Sequence, residues 1–348
     1  MNRLREIDIL RGFAIFVMII ANYSPYFIDQ PPIFLRLVYT FAAPLFVSIT
    51  GFLMYRNKIE KDYGWQYFFV RGLILVLVAS LLDLIGYRIY PFLSFDVLYL
   101  IGFCTMIFIF LYRLWNVLGI GLMFIVFIIT IILQFYFGYN QIPVEYPVGS
   151  VVSLELFFNI CVRQFLIDGY FPVFPWAGIF VLGFVFFNEN HRKWIVNFYV
   201  YWLILFVIFS YVLVHSQKYI RDGYGELFYP PDYVFILWVL SFIFLCFSLI
   251  FVNIFNDKNV FSNLGLFGRY LELIGKSSLF FYLFHLFLVE YFWSNVSIDR
   301  WVFHTNNPYV DLMFSYVTTL ILFGFISLFF EKIKQKKLPF LVRFFIGS

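Results

Sequence analysis

Apolar positions in this chain come in runs of about twenty, separated by short clusters of charged residues, Gly and Pro. Runs of spanning length fall at about 9–28, 33–55, 66–87, 94–112, 115–137, 171–188, 194–214, 233–254, 270–293 and 308–330. About 20 apolar residues cross a bilayer core, so the pattern predicts ten transmembrane helices. A lipid-exposed segment of such even apolarity must close its backbone hydrogen bonds within itself. The fold class is therefore all-α, a polytopic membrane helix bundle. No soluble domain, low-complexity tail or internal repeat interrupts the pattern, and residues 1–348 read as a single transmembrane domain.

The first run breaks its own rule. Asp8, Arg11 and Asn22 lie in it, and with Ile15 and Met18 they step by three and four residues onto one helix face. A charge at the middle of a span costs roughly 2.5–3.5 kcal/mol on insertion scales, and less near an end. Such a stripe turns toward protein or a water-filled cavity. It is either a structural Asp8–Arg11 pair at the rim or one wall of a site running through the membrane.

Composition narrows the class. Hydrophobic residues are 63% of the 348 and charged residues only 13%, against about a quarter charged in a soluble domain. The net charge of +4 is spread over helix ends, which argues against nucleic-acid binding and serves orientation instead. With the N-terminus inside, 17 Lys and Arg fall on cytoplasmic ends and 6 outside, with Arg71 inside a span. The positive-inside rule then predicts cytoplasmic N- and C-termini in a multi-pass protein of the cell membrane. The first span lacks a small-residue cleavage site, so it is expected to stay. Cys104, Cys161 and Cys246 have no metal or redox spacing, and no metal site is predicted. Two outer connections exceed a tight turn. Residues 138–170 hold Pro143, Pro147 and an amphipathic stretch from Val151 to Ile167, expected as a helix at the interface. Residues 215–232 hold Gly223, Gly225 and Pro230-Pro231, and both connections would cap an outward cavity.

Several stretches then occur in order. Arg5-Glu6-Ile7-Asp8-Ile9-Leu10-Arg11-Gly12 precedes Met18-Ile19-Ile20-Ala21-Asn22-Tyr23, and Pro44-Leu45-Phe46-Val47-Ser48-Ile49-Thr50-Gly51 comes after both. Next come Arg71-Gly72, Phe95-Asp96-Val97-Leu98-Tyr99-Leu100-Ile101-Gly102 and Phe171-Pro172-Val173-Phe174-Pro175-Trp176-Ala177-Gly178. The ninth run supplies Ile274-Gly275-Lys276-Ser277-Ser278-Leu279-Phe280 and Tyr282-Leu283-Phe284-His285. Together these resemble the catalytic-domain family of heparan-α-glucosaminide N-acetyltransferase. The resemblance implies a membrane-bound acyltransferase that takes acetyl from cytosolic acetyl-CoA and passes it to an extracytoplasmic sugar or glycan. One feature departs from the family. Lysosomal members carry a catalytic His in the outer loop after the Asn of the first span, and the loop from Tyr23 to Leu35 has none here.

Acyl transfer from a thioester needs cations for the CoA phosphates, a donor for the carbonyl oxygen and a base for the acceptor's proton. Arg11, Arg71 and Lys276, with Asp8 at the same rim, are the cofactor-binding candidates; snorkelling to lipid phosphates is the alternative for Lys276. Asn22 lies about 16 Å beyond Arg11 along the helix and could reach a thioester carbonyl or bond a neighbouring helix. His285, sharing a face with Ser278 and Tyr282, is the candidate replacement base. Asp83 joins the catalytic set, either orienting a base or pairing with Arg88. Asp96 reads as a helix start. Tyr23, Trp176 and Glu290 are the substrate-side candidates, although Pro172-x-x-Pro175-Trp176 also reads as helix entry. Asn22 and His285 should lie at matching depths, since their two spans run outward together. The partners expected are the lipid bilayer, an acyl-CoA, a sugar or glycan acceptor and a second copy of the chain in a homodimer. The competing readings are a transporter or flippase for a lipid-linked or anionic solute, and an inactive acyltransferase-like protein.

Overall fold

The computed structural model describes residues 4–138, 144–215, 226–227, 231–256, 264–293, 307–336 and 338–347. Pro143, Gly223, Gly225 and Pro230 of the two outer connections lie outside them. The chain is 82% helix, with no strands among the described residues, so it is all-α. The helices are α1 (Arg5–Phe27), α2 (Ile33–Tyr39), α3 (Ala42–Lys61), α4 (Trp65–Leu81), α5 (Val97–Met106), α6 (Phe108–Leu118) and α7 (Gly121–Phe137). After these come α8 (Leu154–Arg163), α9 (Val173–Val185), α10 (Glu189–Asn197), α11 (Tyr199–His215) and α12 (Tyr233–Asn256). The last are α13 (Gly265–Gly275), α14 (Ser278–Phe287), α15 (Pro308–Lys334) and α16 (Phe340–Ile346). Wider π-helical turns extend α4 over Leu82–Tyr87, α8 over Gln164–Asp168 and α14 over Leu288–Trp293.

Each of the ten predicted runs falls on a helix or on a bent pair of helices. Five stretches among the described residues are unbroken and long enough to span, or up to nine if each bent pair counts as one. The fifth run, 115–137, takes in the end of α6 and then α7, which has only 17 residues. Hydropathy over a whole run does not mark the bends, because the few polar or small residues at a break are outweighed by the apolar residues on either side. The sharpest, 84°, lies between α13 and α14, where Ser277 leaves helical geometry at φ −122° and ψ 32°. The stretch Val151 to Ile167 is helical as expected from Leu154, and Ser153 caps its first turn by accepting the Leu156 N–H.

The chain divides into two compact units, Met1–Phe46 with Gly223–Leu227 and Leu249–Ser348, and Val47–Asp222 with Phe228–Ser248. In the first, α1 lies backbone against backbone on α13. A Cβ on Gly12 would come 1.9 Å from the Leu271 carbonyl oxygen, and one on Gly275 1.8 Å from that of Asp8. Only glycine permits this approach, and small residues are how helices pack closely where lipid removes the hydrophobic drive. In the second unit α3 and α9 use the same device. Gly51 faces the Phe180 carbonyl and Gly183 that of Ser48, at 1.9 and 2.1 Å from a built Cβ. Large aromatic rings fill the rest, with Phe186 stacked on Phe247 at 3.9 Å.

Candidate active site

The glycine contact between α1 and α13 anchors the start of α14. Past the bend, α14 runs in the same direction as α1, and three side-chain contacts join the two in the same chain order. Arg11 donates from Nη2 to the Ser278 hydroxyl at 2.5 Å. Asn22 Nδ2 lies 2.7 Å from His285 Nε2. Tyr26 donates its hydroxyl to Glu290 Oε2 at 2.9 Å. From Asn22 to Tyr26 is four residues, but from His285 to Glu290 is five. The π-helical turn over Leu288–Trp293 accounts for the difference, because its wider repeat returns residue i+5 to the face of residue i.

The middle contact carries the most chemistry. His285 is fully buried, and its Nδ1 lies 3.2 Å from the Phe281 carbonyl oxygen. A carbonyl only accepts, so the ring proton belongs on Nδ1 and the lone pair on Nε2. Asn22 donates its amide N–H to that lone pair. A nitrogen lone pair is therefore present, oriented by a backbone acceptor, and covered by one amide on a half-buried side chain.

At the other end of α1, Asp8 is buried and Arg11 half-buried, with Asp8 Oδ1 and Arg11 Nη1 3.7 Å apart. Lys276 lies between two carboxylates, 2.6 Å from Glu272 and 3.4 Å from Glu331, and Arg5 reaches Glu272 at 2.9 Å. Lys276 is thus tied to protein carboxylates. Tyr23 is wholly inaccessible, its hydroxyl 3.0 Å from that of Thr319, which also accepts the Trp293 indole N–H at 3.3 Å. These contacts hold α1, α15 and the turn after α14 together.

The remaining candidates belong to the second unit. Arg71 is half-buried on α4. Trp176 is fully buried, with Phe171 edge-on at 4.9 Å and Phe235 at 5.5 Å. Asp83 is buried and receives three hydrogen bonds, from the Ser94 hydroxyl at 2.6 Å, the Tyr99 hydroxyl at 2.8 Å and the Phe92 N–H at 3.0 Å. It makes no ion pair with Arg88 among the described residues, which corrects that expected partner. Arg88 is exposed and in the left-handed region at φ 56°, ending the π-helical turn. Asp96 caps α5 as expected, accepting the Val97 N–H at 2.6 Å.

The residues that sequence reasoning missed are the partners. Tyr26 is four residues past Asn22, so extending the three-and-four stepping by one turn finds it. Thr319 and Trp293 gave no signal, being ordinary residues of apolar runs. Among the described residues, no group of three or more His, Cys, Asp or Glu could hold a metal ion.

An apolar helical chain with an imidazole and an amide paired inside its first unit defines a polytopic membrane protein with a polar pair held inside it. Residues 3–219 match the family described as heparan-alpha-glucosaminide N-acetyltransferase, catalytic, and the chain belongs to that family. The family is one of acetyltransferase-type enzymes. No curated protein matches the chain. The family match includes Asp8, Arg11, Asn22, Tyr23, Arg71, Asp83 and Trp176 and ends before Lys276, His285 and Glu290.

Proposed function

We propose that this protein is a membrane acetyltransferase that takes acetyl from cytosolic acetyl-CoA and transfers it to a sugar or glycan on the other side of the cell membrane. The reading includes ten spans with both termini cytoplasmic, supported by the 17-to-6 division of Lys and Arg. A reporter fused after Ser348 should then be active only on the cytoplasmic side; activity outside overturns the topology.

The observation that carries the reading is the Asn22–His285 pair, 2.7 Å between Nδ2 and Nε2. It replaces the base lost from the loop after Asn22. The acceptor's N–H or O–H displaces the Asn22 amide from Nε2. The acceptor heteroatom then attacks the thioester carbonyl carbon, and His285 Nε2 takes its proton. Asn22, turned from the ring, donates to the carbonyl oxygen as negative charge grows there. The carbon–sulfur bond breaks, and the proton passes from His285 to the CoA sulfur. Arg11 serves the CoA phosphates; Lys276 and Asp8 assist by holding the rim of the same unit. Glu290, with Tyr26, faces the acceptor. Tyr23 and Trp176, both inaccessible, act by holding the walls of their units, and Asp83 organises the loop after α4 and stays out of proton transfer.

The test is purified protein in nanodiscs given acetyl-CoA labelled in its acetyl group, with glucosamine and neutral sugars as acceptors. Label should move to a sugar, and His285→Ala should abolish the transfer while leaving CoA binding intact. Label that stays on CoA with every acceptor overturns the reading, and labelled donor crossing a vesicle uncleaved identifies a transporter.

A further inference from the structure

The residues of the α13–α14 bend are tied to α1, α15 and α16. Lys276 pairs with Glu272 of α13 and Glu331 of α15. Ser278 accepts from Arg11 of α1. Ser277, between them and buried, donates its hydroxyl to the Ile346 carbonyl oxygen at 2.8 Å and accepts from Lys334 Nζ at 3.0 Å. The segment that supplies Ile346 is anchored by its own side chains, since Phe344 and Ile346 are buried. The next residue, Gly347, closes the helix in the left-handed region at φ +71°. A Cβ there would lie 1.9 Å from the Lys276 carbonyl oxygen. Backbone meets backbone at this point, as it does at Gly12 and Gly275 on α1 and α13.

The bend sets the direction of α14, and α14 carries His285. Seven residues separate Ser278 from His285, ~10 Å along a helix. A change of about 6° at the bend therefore moves the imidazole by ~1 Å at that lever arm. Misplacement of a reacting group by ~1 Å can cost about 10²-fold in rate. A clamp on the bend is worth having only if something at the far end needs its position held.

We infer that Ser277 and Gly347 are positioning residues: they seat α16 and the glycine after it on the bend and so fix where His285 meets Asn22. The inference rests on the Asn22–His285 pair being the reaction centre. Two readouts separate the two ideas, one of geometry and one of turnover. For geometry, Asn22→Cys and His285→Cys are combined in a chain carrying Cys104→Ser, Cys161→Ser and Cys246→Ser, and a short bifunctional thiol reagent joins them. For turnover, the chain with native Asn22 and His285 is assayed with labelled acetyl-CoA.

Gly347→Ala in each background should lose the cross-link and lower kcat by on the order of 10²-fold, with KM for acetyl-CoA little changed. The control is Gly119→Ala, which adds at least as much backbone strain, at φ 55° and ψ −136°, but has nothing within 4 Å of its Cβ. It should leave both readouts as they were. If Gly347→Ala does not fold, Ser277→Ala decides, because it removes two hydrogen bonds and adds no volume. It should weaken cross-linking and turnover in the same direction, by less. Undiminished cross-linking in a folded Gly347→Ala or Ser277→Ala protein overturns the inference, whatever happens to turnover. Loss of the cross-link in a chain that never transfers acetyl upholds the positioning and removes the acyltransferase reading.

Discussion

The two units bury polar groups in opposite ways. In the first, the Asn22 amide meets His285 Nε2 one to one, and Asn22 stays half-buried. In the second, Asp83 gathers three donors and is 1% exposed. A neutral hydrogen bond has a net worth of about 0.5–1.5 kcal/mol, which an incoming substrate can replace with one of its own. Three bonds to a carboxylate contribute roughly 1.5–3 kcal/mol each, and no single ligand group replaces all of them. The difference teaches where chemistry belongs. A group held by one exchangeable partner stays available, while a group held by three belongs to the fold.

His285→Ala is the hardest test of that contrast. Loss of a general base costs about 10²–10⁴ in rate, so kcat for acetyl transfer should fall by that order while CoA affinity, read by equilibrium binding, stays put. Asn22→Ala comes next. Removing one oxyanion donor costs about 10²–10³ in kcat, measured in the same assay. An Asn22→Ala protein with full turnover would make that amide a mere cover for the imidazole. Asp83→Asn probes the other side. It leaves a buried donor facing donors, so thermal unfolding in detergent should show a loss of about 1–3 kcal/mol. Turnover per folded molecule should change by no more than a few-fold, and a collapse as deep as that of His285→Ala would erase the distinction between the units.

The smallest expected effect is a pH dependence outside the spans. Desolvation pushes the Glu226 carboxyl from 4.5 up to about 7, against the opposing pull of Arg36. The folded state therefore binds more protons than the unfolded state between those values. The contribution of Glu226 is fully present below about 4.5, declines as pH rises through the window and is gone above about 7. Glu226→Gln should flatten that slope in melting temperatures taken from pH 4 to 8, and an unchanged slope would assign it to other groups.

The sequence by itself determined that this chain is an all-α membrane protein. Backbone groups in lipid must be satisfied within each helix, and ten apolar runs all prove helical. It also marked the stripe of Asp8, Arg11 and Asn22, because charge and amide inside a span are expensive enough to stand out. Periodicity on one helix placed Ser278, Tyr282 and His285 on one face, and counting residues from the ends of two spans matched Asn22 to His285 in depth. What counting could not supply was adjacency. The π-helical turn that brings Glu290 to Tyr26 and the bend at Ser277 are not marked by run-length hydropathy, because the apolar residues on either side outweigh Glu290 in the one and Lys276, Ser277 and Ser278 in the other. Tyr23 and Trp176 were read from residue type as substrate contacts, and only packing showed them enclosed. The tertiary structure decided which polar groups meet. That choice depends on where backbones touch at Gly12, Gly275 and Gly347, a property of pairs of segments far apart in the chain.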